Sequence, residues 1–432
     1  MDYDEEPHGV YFFIDNKSFY ASCESVKRGL NPLRSILVVM SEQANTNGGL
    51  ILAASPMAKK LFGISNVSRQ RDLPNDPRLL IVPPRMNLYI KKNLQINDIF
   101  TEFTDENNIL PYSIDESLLD MTHTWHLFGN SLRNVALKIQ EEVRSRLGLY
   151  TTVGIGDNPV QAKIALDVYA KHDSDLVGEI HYKDVPNKIW NIQKLTSVWG
   201  IGKRTAANLN HLGIYNMNDL AHANPYLIKE KMGIIGLQLF ATAWGIDRSN
   251  LRQPMHTKDK SYSNSQVLPK DYTSRSEIEI VIKEVASQVA SRIRNHHLQT
   301  GCITLFIGFS FATKQVTGSS GFSQSMKINP TDDSYELGRD LTELFERNWN
   351  GEMIRNIGVE YGHLSPKVGE QLDLFRDNQR TIKQNVLNKT GDQIRKQFGN
   401  AALLNANSLC NGATAISRSN LVGGHNGGNS YE

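Results

Sequence analysis

The sequence predicts a multidomain α+β protein, and three features carry that reading. Apolar runs of strand length alternate with amphipathic helical segments over about the first 175 residues. A stretch of short helices punctuated by Gly follows over 190–247, and a second, smaller alternation of strands and helices runs to residue 363. The chain of 432 residues has room for about three domains at roughly 150 residues each. Its 40% hydrophobic and 21% charged residues are an ordinary globular balance, able to bury several cores.

An apolar run at 10–14 ends at Asp15 and another occupies 36–40; their length and their aromatic and β-branched content suit buried strands. Between them, 19–29 has helical spacing that stops at Gly29. Residues 79–82 make a short run closed by Pro83-Pro84, and a helix is expected over 86–103. Residues 109–121 read as two short strands hinged at Asp115 and Glu116. An amphipathic helix at 132–147 turns Arg and Lys outward, 151–155 is a β-branched strand, and Asn158-Pro159 opens a helix over 160–169. Residues 248–260, polar and holding Pro254, read as a linker. Beyond it come a strand, a helix (276–297), two strands (302–309 and 322–328), a helix (334–349) and a strand (357–363). From Pro366 onward a single helix is expected at 391–398, and the end is a Gly- and Asn-rich segment of disordered composition.

Three cysteines, Cys23, Cys302 and Cys410, are too few and too scattered for a disulfide framework or a zinc cluster. No stretch reaches the roughly 18 apolar residues of a membrane span, and the acidic first ten residues lack a signal-peptide pattern, so a cytoplasmic protein is expected. With 47 basic against 45 acidic residues the net charge is +2, and any nucleic-acid surface has to be local.

Asp15 ends one apolar strand and Asp115-Glu116 follows another. If those strands are neighbours, three carboxylates meet at one sheet edge. Such a cluster repels itself unless cations occupy it, and hard oxygen ligands suit Mg²⁺. Two ions about 3.5–4 Å apart would serve phosphoryl transfer. Strand-terminal acids also cap helices or simply face water, and spacing does not separate these readings.

Asp15 followed by Phe19-Tyr20-Ala21-Ser22-Cys23-Glu24, together with Ser113-Ile114-Asp115-Glu116-Ser117, resembles the two catalytic motifs of the Y-family lesion-bypass DNA polymerases, in the UmuC-like branch. The resemblance spans residues 10 to about 375. It implies a right-hand architecture with palm (1–19 and 84–175), fingers (20–83), helical thumb (176–250), linker (251–260), α+β little finger (261–365) and tail (366–432). It further implies error-prone translesion synthesis on primer-template DNA with dNTP, in DNA repair and the SOS response. Two Mg²⁺ ions would be held by Asp15, Asp115, Glu116 and the backbone carbonyl of Asn16. Many relatives carry a further acid where this chain has Lys17.

By the same resemblance Tyr20 would be a steric gate against the ribose 2′-hydroxyl, with Phe19 beside it, and Ser55, Lys59 and Lys163 would meet the triphosphate. Without it, Tyr20 reads as a core position and the lysines as solvated helix faces. Gly200-Ile201-Gly202-Lys203 has the form of a helix-hairpin-helix that offers backbone N–H groups to a DNA phosphate, and Gly233-Ile234-Ile235-Gly236 reads as a degenerate second copy. Lys260, Lys314, Lys327 and Arg355 would line a DNA-facing sheet.

Gln371-Leu372-Asp373-Leu374-Phe375 resembles the bacterial sliding-clamp-binding peptide. From Arg376 onward the tail carries seven basic residues against three acids, which suits DNA, a protein partner or plain solvation. Some relatives also require a UmuD-like protein and a recombinase filament. Two other readings are a catalytically silent DNA- and clamp-binding accessory protein, which the intact carboxylates oppose, and another palm-type enzyme such as a nucleotidyl cyclase. The cyclase would need neither the hairpin nor the terminal pentapeptide.

Overall fold

The computed structural model describes residues 2–41, 49–65, 68–253, 259–368 and 378–427. The chain forms two compact units, one made chiefly of residues 1–41 and 50–254 and the other of 255–427.

The first unit opens with β1 (Tyr11–Asn16) and α1 (Phe19–Lys27), followed by β2 (Leu37–Met40), β3 (Ile51–Ala54), α2 (Pro56–Phe62), β4 (Leu80–Val82) and α3 (Met86–Phe100). Next come β5 (Ile109–Pro111), β6 (Glu116–Asp120), α4 (Leu132–Leu147), β7 (Thr151–Gly156), α5 (Pro159–Ile164) and β8 (Val177–Ile180). Five of these strands form a sheet in the order β5-β6-β1-β7-β8, with β1 antiparallel to both neighbours. On one side α3 and α4 pack together and against β5 and β7. On the other, α5 packs on β1, β7 and β8. This approach is close enough to require glycine: a Cβ on Gly154 would lie 2.1 Å from the Ala162 carbonyl oxygen.

A smaller sheet, β3-β2-β4, carries α1 on β2 and β3 and buries Ala21, Leu37, Val39, Ala53 and Val82. Downstream, α6 (Val185–Lys188), α7 (Lys203–His211), α8 (Met217–His222) and α9 (Pro225–Ala243) surround an apolar core that also takes in Val160 and Ile164 of α5 and Ile180 of β8. The expected linker begins later than residue 251: Leu251 packs beside Phe13 and Leu118, and Arg252 donates from Nε to Asn108 Oδ1 at 3.0 Å. Its apolar leucine and planar guanidinium both find partners on the first unit.

The second unit contains β9 (Tyr262–Tyr272), α10 (Arg275–Asn295), β10 (Leu298–Phe309), α11 (Phe311–Thr317), β11 (Gly321–Thr331), α12 (Ser334–Asn348) and β12 (Ile354–Pro366). Its strands form an antiparallel sheet in the order β11-β10-β12-β9, and α10 and α12 cover one face. Val281, Val285, Val289, Leu341, Phe345 and Tyr361 lie in that core, where each large side chain contributes about 1.5–3 kcal/mol.

The tail departs from its disordered expectation. A 21-residue helix, α13 (Asn378–Phe398), replaces the short one expected at 391–398, and α14 (Ala415–Arg418) and the hairpin β13 (Leu421–Val422) and β14 (His425–Asn426) follow. Asp392 pairs with Arg294 of α10 at 2.7 Å, both side chains being 6% exposed, and the Thr414 N–H donates to Glu284 at 3.0 Å. Partners supplied by α10 stabilise a segment whose own composition is too polar to build a core.

Candidate active site

One end of the five-stranded sheet is assembled by strand register. In the β1–β6 ladder Asp15 sits opposite Glu116, and the Asn16 N–H donates to the Asp115 carbonyl at 2.8 Å, so all three acidic residues reach one sheet end. The turn before β6 is held from below: Asn93 of α3 donates to the Ile114 carbonyl and the Asn16 side chain to that of Asp115, both at 3.0 Å.

The three carboxylates lie near one another at this sheet end. Among the described residues no three His, Cys, Asp or Glu side chains are arranged to hold a metal ion. Two of the acids have partners of their own: Asp115 accepts from Ser113 Oγ at 2.7 Å and Glu116 from Lys163 Nζ at 2.6 Å. Asp15 is different. Burial pushes its carboxyl up to about 6, Lys171 and Lys163 oppose the shift, and Asp115 and Glu116 add to it. A buried carboxyl flanked by two more is hard to ionise without a cation, and the all-oxygen donor set fits a hard divalent ion.

Lysines surround this site, in a distribution that differs from the expected one. Lys163 is 7% exposed and lies between Glu116 and Asp167, over the Phe13 ring at 4.6 Å, so it is not free to meet a phosphate. Lys171 bonds the other oxygen of Asp167 at 2.8 Å and is 41% exposed. Lys17, Lys59 and Lys171 all feel the charge of Asp15, and burial pulls the ammonium groups of Lys17 and Lys59 down. Lys171 was missed from sequence, since it lies eight residues beyond Lys163 and only the fold returns it to Asp15.

Ser55 is corrected outright. It is fully buried as the N-cap of α2, donating to the Ser35 carbonyl at 2.7 Å and accepting from the N–H groups of Leu37 and Ala58, which saturates its hydroxyl. The Ser-Pro step at 55–56 is an ordinary helix-start signal that could have shown this. Phe19 is also a packing residue, 3% exposed with its ring against Tyr20 and Tyr89. Tyr20 is half-buried and stacks on Tyr89, with ring centroids 4.5 Å apart. The N-terminus of α1, at Ser18, has no side-chain cap and leaves backbone N–H groups for an anion.

In the helical part, Gly200 has φ +86° and open space where a Cβ would be, Ile201 is buried, and Gly202 leads into α7 without a side-chain cap. Lys203 is exposed beside it. Gly233, at φ +66°, breaks α9 in the same manner and leaves Ile234 and Ile235 exposed.

In the second unit, the sheet face away from the helices is hydroxyl-rich rather than basic. Thr304 lies between Ser325 and Glu360, and Phe306 between Ser323 and Gly358. Arg355 does not extend from it freely, because Asp271 pairs with its guanidinium at 2.8 Å; Lys260 and Lys327 are exposed. Residues 371–375, the pentapeptide resembling a clamp ligand, lie outside the described residues.

Carboxylates at a sheet end, an aromatic pair beside them, a hairpin-bearing helical region and a separate α+β unit together define a right-hand nucleotide polymerase of the Y-family type. Family models agree: the impB/mucB/samB family matches residues 14–167, its C-terminal domain 259–374, and the family's HHH motif 182–214. The chain belongs to that family, as a UmuC-like member of the Y-family DNA polymerases. It is 38% identical to the putative UV-damage repair protein UvrX of Bacillus subtilis (strain 168), over 98% of this chain and 99% of the relative. DNA polymerase IV 2 of the same organism is 33% identical over 96% and 98%. In fold it is similar to a Y-family DNA polymerase chimera, with a TM-score of 0.66 and 22% identity over 83% of this chain and 99% of that one.

Proposed function

We propose that the protein extends primers past damaged template bases, by Mg²⁺-dependent and error-prone nucleotidyl transfer. The observation that carries this is the β1–β6 register, which places Asp15 across from Glu116 with Asp115 next to it. Bound there, two Mg²⁺ ions would lower the pKa of the primer 3′-hydroxyl and offset charge on the triphosphate. Asp15, Asp115, Glu116 and the Asn16 carbonyl would hold them once Asp115 and Glu116 turn from Ser113 and Lys163.

The chain's own contribution is positioning. Lys59, Lys171 and Lys17 supply positive charge for the triphosphate, and the uncapped start of α1 adds backbone N–H donors. Tyr20 excludes the 2′-hydroxyl. Gly200 to Lys203 grip a backbone phosphate, and the hydroxyl-rich sheet of the second unit lies along the duplex with Lys260 and Lys327. The pentapeptide Gln371–Phe375 docks the enzyme on a sliding clamp, which supplies residence time on DNA, and a UmuD-like protein and a recombinase filament are further candidate partners.

Primer extension on undamaged and abasic templates, with and without a bacterial sliding clamp, tests the reading. Asp115→Ala/Glu116→Ala is expected to lower extension by about 10³-fold or more, given roughly 10²–10³ for a lost electrostatic group. Unaltered extension by that variant would refute the assignment, and clamp-independent extension would refute the docking role.

A further inference from the structure

Lys163 carries an ammonium that the fold has almost removed from water, and such a charge needs a counter-ion at all times. Two carboxylates serve it, Glu116 Oε1 at 2.6 Å and Asp167 Oδ2 at 3.2 Å. Their prospects differ. Glu116 is the acid expected to turn toward a divalent cation, whereas Asp167 lies on the π-helical turn Ala165–Tyr169, one step behind the site. That turn follows α5 directly, and the two ion pairs show its outcome: residues 163, 167 and 171 share one side, with Asp167 bonded to a lysine in each direction. π-turns recur at functional sites because the extra residue redirects side chains.

We infer that Asp167 is a positioning residue that receives Lys163 when Glu116 is released to a divalent cation. Lys163 stands on Glu116 and offsets its charge. As Glu116 turns away, the ammonium shifts fully onto Asp167 and is never left without a partner, so the buried lysine holds the acid back less than it would without Asp167. Lys171, on the other Asp167 oxygen, keeps the second partner that fixes Asp167 in place. The inference rests on Glu116 being a metal ligand, as proposed above, and adds a residue whose side chain touches neither metal nor nucleotide.

Mn²⁺ binding to the full chain, followed by the electron paramagnetic resonance signal of free Mn²⁺, separates this role from a merely structural one. Asp167→Asn is expected to weaken binding by about fivefold or more, the usual scale of coupling between neighbouring sites. In a Lys163→Met background the same change should have no effect, and Asp167→Glu should retain wild-type affinity. Equal weakening in both backgrounds would mean a general loss of negative charge and would overturn the inference, as would no weakening at all. Should Asp167→Asn fail to fold, Lys163→Met alone decides: with the competing ammonium gone it should bind Mn²⁺ more tightly, and unchanged or weaker binding counts against the exchange. Wild-type protein that binds no Mn²⁺, or binds it equally after Asp15→Asn, would instead remove the metal-site reading itself.

Discussion

Tyr89 stacks on Tyr20 with ring planes 15° apart, and its hydroxyl donates to Glu24 at 2.9 Å. Glu24 is wholly buried and is clamped by the Arg85 fork at 2.9 and 2.6 Å and by Arg28. The Tyr20 ring is therefore backed by a second ring that a buried ion cluster holds in place. Stacked aromatic pairs contribute about 0.5–1.5 kcal/mol beyond their burial.

Sugar discrimination should depend on both rings. Tyr20→Ala is expected to raise ribonucleotide incorporation by about tenfold or more, the scale on which a shaped pocket separates near-identical substrates. Tyr89→Leu, which leaves Tyr20 in place but unsupported, should have a smaller effect in the same direction. Ratios of kcat/KM for dNTP and rNTP measure this, and an unchanged ratio in Tyr20→Ala would end the steric-gate assignment.

Stability should respond sharply at Glu24. Removing its carboxylate breaks the buried pair with Arg85 and takes the acceptor from the Tyr89 hydroxyl, a loss of about 3–5 kcal/mol for a broken buried pair. Urea unfolding of Glu24→Ala checks it. A loss below about 1 kcal/mol would place the pair among weak surface contacts.

The metal-free protein should become more stable when Asp15 is neutralised. Its carboxyl is held up to about 6, so at neutral pH the ionised group is paid for by the fold, and Asp15→Asn is expected to gain about 2 kcal/mol. Added Mg²⁺ should raise the thermal midpoint of wild type and leave that of Asp15→Asn nearly unchanged. Equal responses would show that the ion binds elsewhere.

The strands that bear the acids were legible because apolar runs of strand length end at Asp15 and flank Asp115, and the helix at 132–147 matched its periodicity. What sequence left open is who partners whom. Lys163 reads as one more helix lysine until a strand 47 positions away brings Glu116 to it. The tail reads as disordered because its counter-charges, Arg294 for Asp392 and Glu284 for Arg418, lie on α10, about 100 positions or more upstream. Arg355 likewise looked free because Asp271 is 84 positions earlier. Local periodicity reports elements, whereas ion pairs between distant segments are a product of the fold.

A different ion cluster should contribute to stability on the alkaline side. His181 lies between Asp157 and Glu179, each 2.6 Å from a ring nitrogen, and hydrogen bonds to Asp157 and then Glu179 push it up to about 9 against the opposing effect of burial. In the unfolded chain it titrates near 6.5. A folded-state pKa above the unfolded one means that the cluster stabilises fully below about pH 6.5 and loses its contribution as pH rises through about 9. At most about 3 kcal/mol is at stake, and less in practice because the ring is 23% exposed. Asp157 also accepts from the Tyr182 N–H at 2.9 Å, so losing the imidazolium loosens the junction between β8 and the helices that follow. Unfolding midpoints in urea should fall between pH 7 and 9.5 for wild type and stay level for His181→Gln. Parallel curves for the two proteins would show that His181 titrates at its ordinary value and that the alkaline loss arises from another group.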